Sequence, residues 1–153
     1  MKPTIVFFSR SSQNALFPLL ASDKYISVHV VMTKEEKCNL EKIGLIVEFC
    51  FEEYNKYSSI PDSNYFTTSF VSDRFLKKYS IEDRIKFLTN EIAFWSDVFD
   101  TYKPLAVINE QVAIEISEVM YIEAKKRNIL YNAQKVKYKE VNRKRYPQTI
   151  QTQ

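Results

Sequence analysis

Pro104-Leu105-Ala106-Val107-Ile108-Asn109-Glu110 is the stretch that decides the fold. A short apolar run, Leu105 to Ile108, stops abruptly at Asn109 and Glu110, and an amphipathic helical pattern begins at once. A strand buried on both faces reads as a continuous apolar run, and such strands belong to parallel sheets covered by helices. In open parallel sheets the ligand crevice opens at the carboxyl ends of the strands, beside the helix starts. Glu110 therefore stands where chemistry is expected, and its position says more than its residue type.

The same unit recurs on either side. Thr4 to Ser9 reads as a buried strand, with Ser11 or Ser12 as the N-cap of a helix through Ala21. Ile26 to Met32 is a second strand. Thr33 then offers an N-cap, and Glu36 three residues on completes a capping box for a short helix to Lys42, with Gly44 at its C-terminal cap. Leu45 to Phe51 is a third strand. Glu48 in its middle assigns it to an edge, because a strand covered on both faces does not readily take a carboxylate.

Glu52 to Thr68 is irregular and polar, and Ser72-Asp73-Arg74 opens a helical turn. Ser80 caps a long helix whose apolar positions Ile81, Ile85, Leu88, Ile92, Trp95, Phe99 and Tyr102 step by four and three. Pro104 ends it. A helix from Gln111 to Lys126 turns Val112, Ile116, Val119, Met120 and Ala124 inward. Glu115, Glu118, Glu123 and Lys125 to Arg127 are read as outward, acidic early and basic late as the helix dipole favours. Ile129-Leu130-Tyr131 is a brief fifth strand.

Strands alternating with helices predict a three-layer α/β Rossmann-like domain with a parallel sheet of about five strands. Right-handed crossovers give the order 3-2-1-4-5. The loops Ser9-Arg10-Ser11-Ser12-Gln13 and Asn109-Glu110-Gln111 then face each other where the order reverses. Arg10, Ser11, Ser12 and Asn109 are candidate binding residues for a hydroxyl-rich ligand. Glu110 is the candidate general base. Asp73 and Arg74 read either as an ion pair at a helix start or as a lip of the cleft. His29 lies mid-strand and reads as a packed or edge histidine, and Trp95 reads as core.

Composition removes several classes. Gly44 is the only glycine in 153 residues, so neither G-x-G-x-x-G nor a P-loop can be written, and no phosphate-cradling cofactor is expected. Cys38 and Cys50 form no C-x-x-C pair and there is one histidine, so no metal site is expected. Residues 134–153 carry a net +5 against −2 for residues 1–133. This divides the chain into a domain, 1–133, and a basic tail or truncated linker, 134–153. The part 134–145 is a candidate contact for an anionic membrane surface, and nucleic acid is not the expected partner. The run Ile5 to Phe8 is too short for a signal peptide, and no apolar stretch approaches the roughly 20 residues of a bilayer span, so a cytoplasmic location, at most peripheral to the inner membrane, is expected.

Ser72-Asp73-Arg74-Phe75-Leu76, the long helix with Trp95 and Phe99, and Tyr102-Lys103-Pro104 with Val107-Ile108-Asn109-Glu110 carry a further signal. With a helix ending in Ala124 and Arg127-Asn128-Ile129, they resemble the N-terminal half of bacterial capsular polysaccharide biosynthesis proteins over residues 3–132. Those proteins are similar to two-domain glycosyltransferases of the GT-B type. The resemblance implies a Rossmann-like domain that receives a sugar or glycan acceptor, while a C-terminal domain binds the nucleotide-sugar donor. It puts Glu110 at the family's acidic position after this strand, and Asp73 and Arg74 at its Asp-Arg pair. Two features depart from the pattern: the first turn lacks a glycine, and the chain stops after the fifth strand without a donor domain. The expectation is an acceptor-side fragment that does not turn over alone. A stand-alone flavodoxin-like binding or regulatory module is the alternative, and an interaction domain working through its basic tail is a third.

Overall fold

The computed structural model describes residues 1–8, 23–51, 61–109 and 114–133. The helix expected over residues 11–21 and the basic stretch 134–153 lie outside them. Strands β1 (Thr4–Phe8), β2 (Ile26–Val31), β3 (Ile46–Phe49), β4 (Ala106–Asn109) and β5 (Leu130–Ala133) form one parallel sheet. Its order is β3-β2-β1-β4-β5, the order expected from the sequence.

The register sorts side chains onto two faces. Val6 pairs with Val28 and Val107, and Val107 pairs with Tyr131, so this row shares one face. Phe7 pairs with His29 and Ile108 on the other. Helix α1 (Lys34–Lys42) covers that second face at the β3 end, where Leu40 packs with Val31 and Val47. Helices α3 (Ile81–Tyr102) and α4 (Glu115–Lys126) bring Leu88, Trp95, Phe99 and Met120 onto Val6, Phe8, Val28 and Val107. Trp95 meets Phe8 edge to face at 5.4 Å, and its indole N–H donates to the Ile116 carbonyl at 3.0 Å.

Local chemistry explains where these helices start and stop. Thr33 Oγ1 accepts the Glu36 N–H at 3.1 Å, and Ser80 Oγ accepts the Asp83 N–H at 3.1 Å. Gly44, at φ +84°, lets the Leu45 N–H reach back to the Leu40 carbonyl and its own N–H to Glu41. This is the Schellman arrangement. Asn128, at φ +54°, repeats it at the end of α4, with Ile129 N–H to Ala124 and Asn128 N–H to Lys125.

Glu48 sits on the edge strand β3, where its charge required it to be, and the Tyr102 hydroxyl donates to it.

Several expectations need correction. The stretch read as irregular contains a 3₁₀ turn, Ser63–Tyr65, and a short helix, α2 (Thr68–Ser72). Ser72 therefore closes a helix, and the turn that follows starts at Asp73. Ile81, read as inward, is 55% exposed, and the first turn of α3 meets α2 through Arg84, which donates to the Phe70 and Val71 carbonyls.

Glu115 and Glu123, read as outward, are only 1% and 3% exposed. Each is four residues from Val119, so all three share a helical face. Glu123 tolerates burial because it is well partnered. It accepts from the Tyr65 hydroxyl, from Ser96 Oγ at 2.9 Å and from Arg127 Nη1 at 2.5 Å. Arg127 also forks onto Asp100, Nε to Oδ1 at 2.9 Å and Nη2 to Oδ2 at 3.1 Å, which clasps α4 to α3. No helix among the described residues is long and apolar enough to cross a membrane.

Candidate functional site

The chain leaves β2 at Met32 and Thr33, leaves β3 at Cys50 and Phe51, and enters α4 at Ile114. Between these points and the turn beginning at Asp73 opens a cavity of about 420 Å³, within the range of small-molecule sites. It lies at the carboxyl edge of the sheet, where doubly wound folds bind ligands. Ile114 and Ile116 supply deeply buried wall, and the half-exposed rings of Phe51 and Phe75 stand at its outer part. Thr33, Glu36, Asp73 and Glu91 are its polar lining.

Asp73 is built in by the backbone. It is 4% exposed, and its Oδ1 accepts the Phe75 and Leu76 N–H groups at 2.8 and 3.2 Å. Its Oδ2 accepts the Glu115 N–H at 2.9 Å. One carboxylate thus shapes the turn and fastens it to the first residue of α4, where the helix dipole favours negative charge.

Glu91 and Glu115 are different. Glu91 is 5% exposed and lines the cavity, and its Oε2 has no hydrogen-bond partner among the described residues. Both carboxyl oxygens of Glu115 are equally unpartnered there. Burial, then the nearby Glu115 and Asp73 charges, hold Glu91 well above the usual carboxylate range. Burial, then Asp73, pushes Glu115 up to about 8, and the Arg84 guanidinium offsets part of this. Arg84 is the one arginine or lysine buried among the described residues. Its Nη2 serves the end of α2, and its guanidinium lies 5.0 Å over the Phe70 ring. Three buried carboxyls thus face one buried cation, and the local potential is negative unless protons remain bound.

The residues expected at the site fall into three groups. Asp73 lines the cavity. Arg74 is exposed, with its guanidinium 5.1 Å from the Phe75 ring, and does not line it. Asn109 is the last residue of β4 rather than part of the following loop, and donates from Nδ2 to the Tyr131 hydroxyl at 2.7 Å, which braces the sheet end away from the cavity. Arg10, Ser11, Ser12 and Glu110 lie outside the described residues.

Sequence reasoning missed Arg84, Glu91 and Glu115. A signal existed: Arg84 and Glu91 stand four before and three after Leu88, inside the apolar stripe of α3, and Glu115 stands four before Val119. His29 is a packing residue, fully buried and stacked on Phe7 at 5.4 Å, and burial lowers its pKa to about 4. Among the described residues no group of three His, Cys, Asp or Glu side chains could hold a metal ion.

Strand order and cavity together define a doubly wound, Rossmann-like α/β protein with a candidate ligand site at the carboxyl edge of its sheet. No family model matches the sequence, and no curated protein matches it.

Proposed function

We propose that the chain is the acceptor-side domain of a glycosyltransferase of surface polysaccharide biosynthesis, with this cavity receiving the acceptor sugar. The observation that supports it is the pairing of aromatic and aliphatic wall with a buried carboxyl, Glu91, whose Oε2 has no partner among the described residues. A pyranose ring offers apolar C–H faces to Phe51 and Phe75 and hydroxyl donors to Glu91. A buried polar atom without a partner costs roughly 1–3 kcal/mol, which a ligand hydroxyl relieves on binding. In this reading Arg10, Ser11, Ser12, Arg74 and Asn109 meet only the parts of the acceptor that extend beyond the cavity, and Asp73 holds the turn that carries Phe75. Glu110, directly after β4, takes the proton from the acceptor hydroxyl as its oxygen bonds to the anomeric carbon. The bond from that carbon to the donor's phosphate breaks, and the nucleoside diphosphate leaves. A separate nucleotide-sugar-binding domain supplies the donor, and residues 134–145 rest against the inner membrane surface.

The test is binding and turnover on the purified chain. Monosaccharides should perturb the amide signals of Phe75, Leu76 and Ile116, and a nucleotide sugar alone should give no transfer. Sugars that leave these signals unmoved would remove the acceptor reading, and unaided transfer would remove the idea of a partial enzyme. The stand-alone binding-module reading draws on the same cavity. It loses its flavodoxin likeness, because that fold has the order 2-1-3-4-5 and this sheet is β3-β2-β1-β4-β5. A chromophore retained through purification, with no response to sugars, would favour it.

A further inference from the structure

We infer that the cavity selects a ligand bearing an ammonium group, which Glu91 receives; this rests on the acceptor reading only in taking the ligand to be an amino sugar. Three acidic groups line the space among the described residues, Glu36 on α1, Asp73 in the turn and Glu91 on α3, while the buried Glu115 of α4 and Arg84 of α3 do not line it and act on these groups through their charge. Among the described residues no lysine or arginine lines the cavity. The two Asp73 oxygens are taken up by three backbone N–H groups. Arg84 Nη2 is committed to the α2 carbonyls. What remains for a ligand is Glu91 Oε2, unpartnered among the described residues and 95% withdrawn from solvent with the rest of its side chain.

A neutral hydroxyl would satisfy that oxygen once. An ammonium satisfies it with a charge-assisted bond, roughly twice as strong as a neutral one. Burial disfavours the charged form of Glu91 and an ammonium beside it favours that form, so binding draws any proton the carboxyl carries off to solvent. Glu36, half-buried beside the exposed Thr33, adds negative potential on the way in. Phosphate or another anion finds no lysine or arginine among the described lining residues to receive it. An N-acetylated amine keeps the ring but loses the charge, which makes it the discriminating comparison.

The experiment is calorimetric titration of the full chain at pH 6.5 with glucosamine, N-acetylglucosamine, glucose and cyclohexylamine, in two buffers of different ionisation enthalpy. Glucosamine is expected to bind at least about ten-fold tighter than its N-acetyl form or glucose, equivalent to about 1.4 kcal/mol. The heats should also report proton release. Glu91→Gln should erase both the preference and the release. Glu36→Gln, at the mouth, should weaken the preference without abolishing it, and serves if the buried variant fails to fold. Equal affinity for glucose and glucosamine overturns this inference and leaves the acceptor reading standing. Cyclohexylamine binding as well as glucosamine, with neutral sugars inert, does the reverse. Glucosamine preferred over both supports both, and no binding by any of the four removes both.

Discussion

Asp73 and Glu115 are 42 residues apart in sequence and are joined by a 2.9 Å hydrogen bond from the Glu115 N–H to Asp73 Oδ2. Through that bond the turn after α2 becomes part of the N-terminus of α4, and the cavity gains a wall that neither element could form alone. Trp95, the only tryptophan and fully buried, gives each stability experiment below a fluorescence readout of unfolding.

Asp73→Ala leaves three backbone donors without their acceptor, and is expected to cost roughly 2–3 kcal/mol. A chain of this size loses about 2–4 °C of Tm per kcal/mol. Asp73→Asn keeps one acceptor oxygen and should fall between the two. An unchanged melting curve for the alanine variant would show that the turn is held by something else.

Glu115 makes stability depend on pH in an unusual direction. Its folded-state pKa of about 8 stands above its ordinary value of 4.5. Between those values the folded state binds more protons than the unfolded state, so the carboxyl's contribution falls as pH rises through that window. Glu91, shifted the same way, adds to the effect. Urea titrations from pH 5 to 8 should show Glu115→Gln losing less stability with rising pH than the parent, by up to about 1.4 kcal/mol per pH unit. Parallel curves for the two proteins would contradict it.

The clasp on Glu123 should be uneven in strength. Arg127→Ala removes a partner from a carboxylate that is 3% exposed and should cost roughly 1–3 kcal/mol. Asp100→Ala removes only an exposed partner of the same arginine and should cost less than about 1 kcal/mol. Chemical denaturation compares them directly, and equal losses would place the strength in the Asp100 pair instead.

Gly44 is needed for its backbone rather than for space. A Cβ built there meets nothing within 4 Å, yet φ is +84°. Gly44→Ala should therefore cost about 1–2 kcal/mol, and Gly44→Asn less, since Asn tolerates the left-handed region as Asn128 does here. A thermal melt in which alanine is as stable as glycine would refute the C-cap role.

The sheet was legible in the sequence because its signals are local. Apolar runs, Thr33 and Ser80 as caps, Gly44 as a helix stop and Glu48 as an edge marker each depend on residues a few positions apart. The cavity was not legible, because it is made by long-range docking. Whether Glu115 faces water or α3 depends on where the stretch 61–78 lies, and that stretch has little periodicity. Charge order along α4 suggested a solvated face for Glu115 and Glu123, whereas their spacing from Val119 put them in the core. Polar type and helical phase disagreed, and tertiary contact decided for phase. The expected meeting of Arg10 and Glu110 falls outside the described residues, so the site rests on Asp73, Glu91 and the cavity they line.

The pinning of Glu48 has a consequence for how copies of this chain behave in a crowded solution. Among the described residues β3 is an outermost strand, to whose free edge a stranger's strand could add, and Ile46, 41% exposed, would reward the contact. The intruder would have to lie beside a carboxyl held by the Tyr102 hydroxyl. Replacing Glu48 with valine would unlock that border and invite head-to-edge growth into fibres.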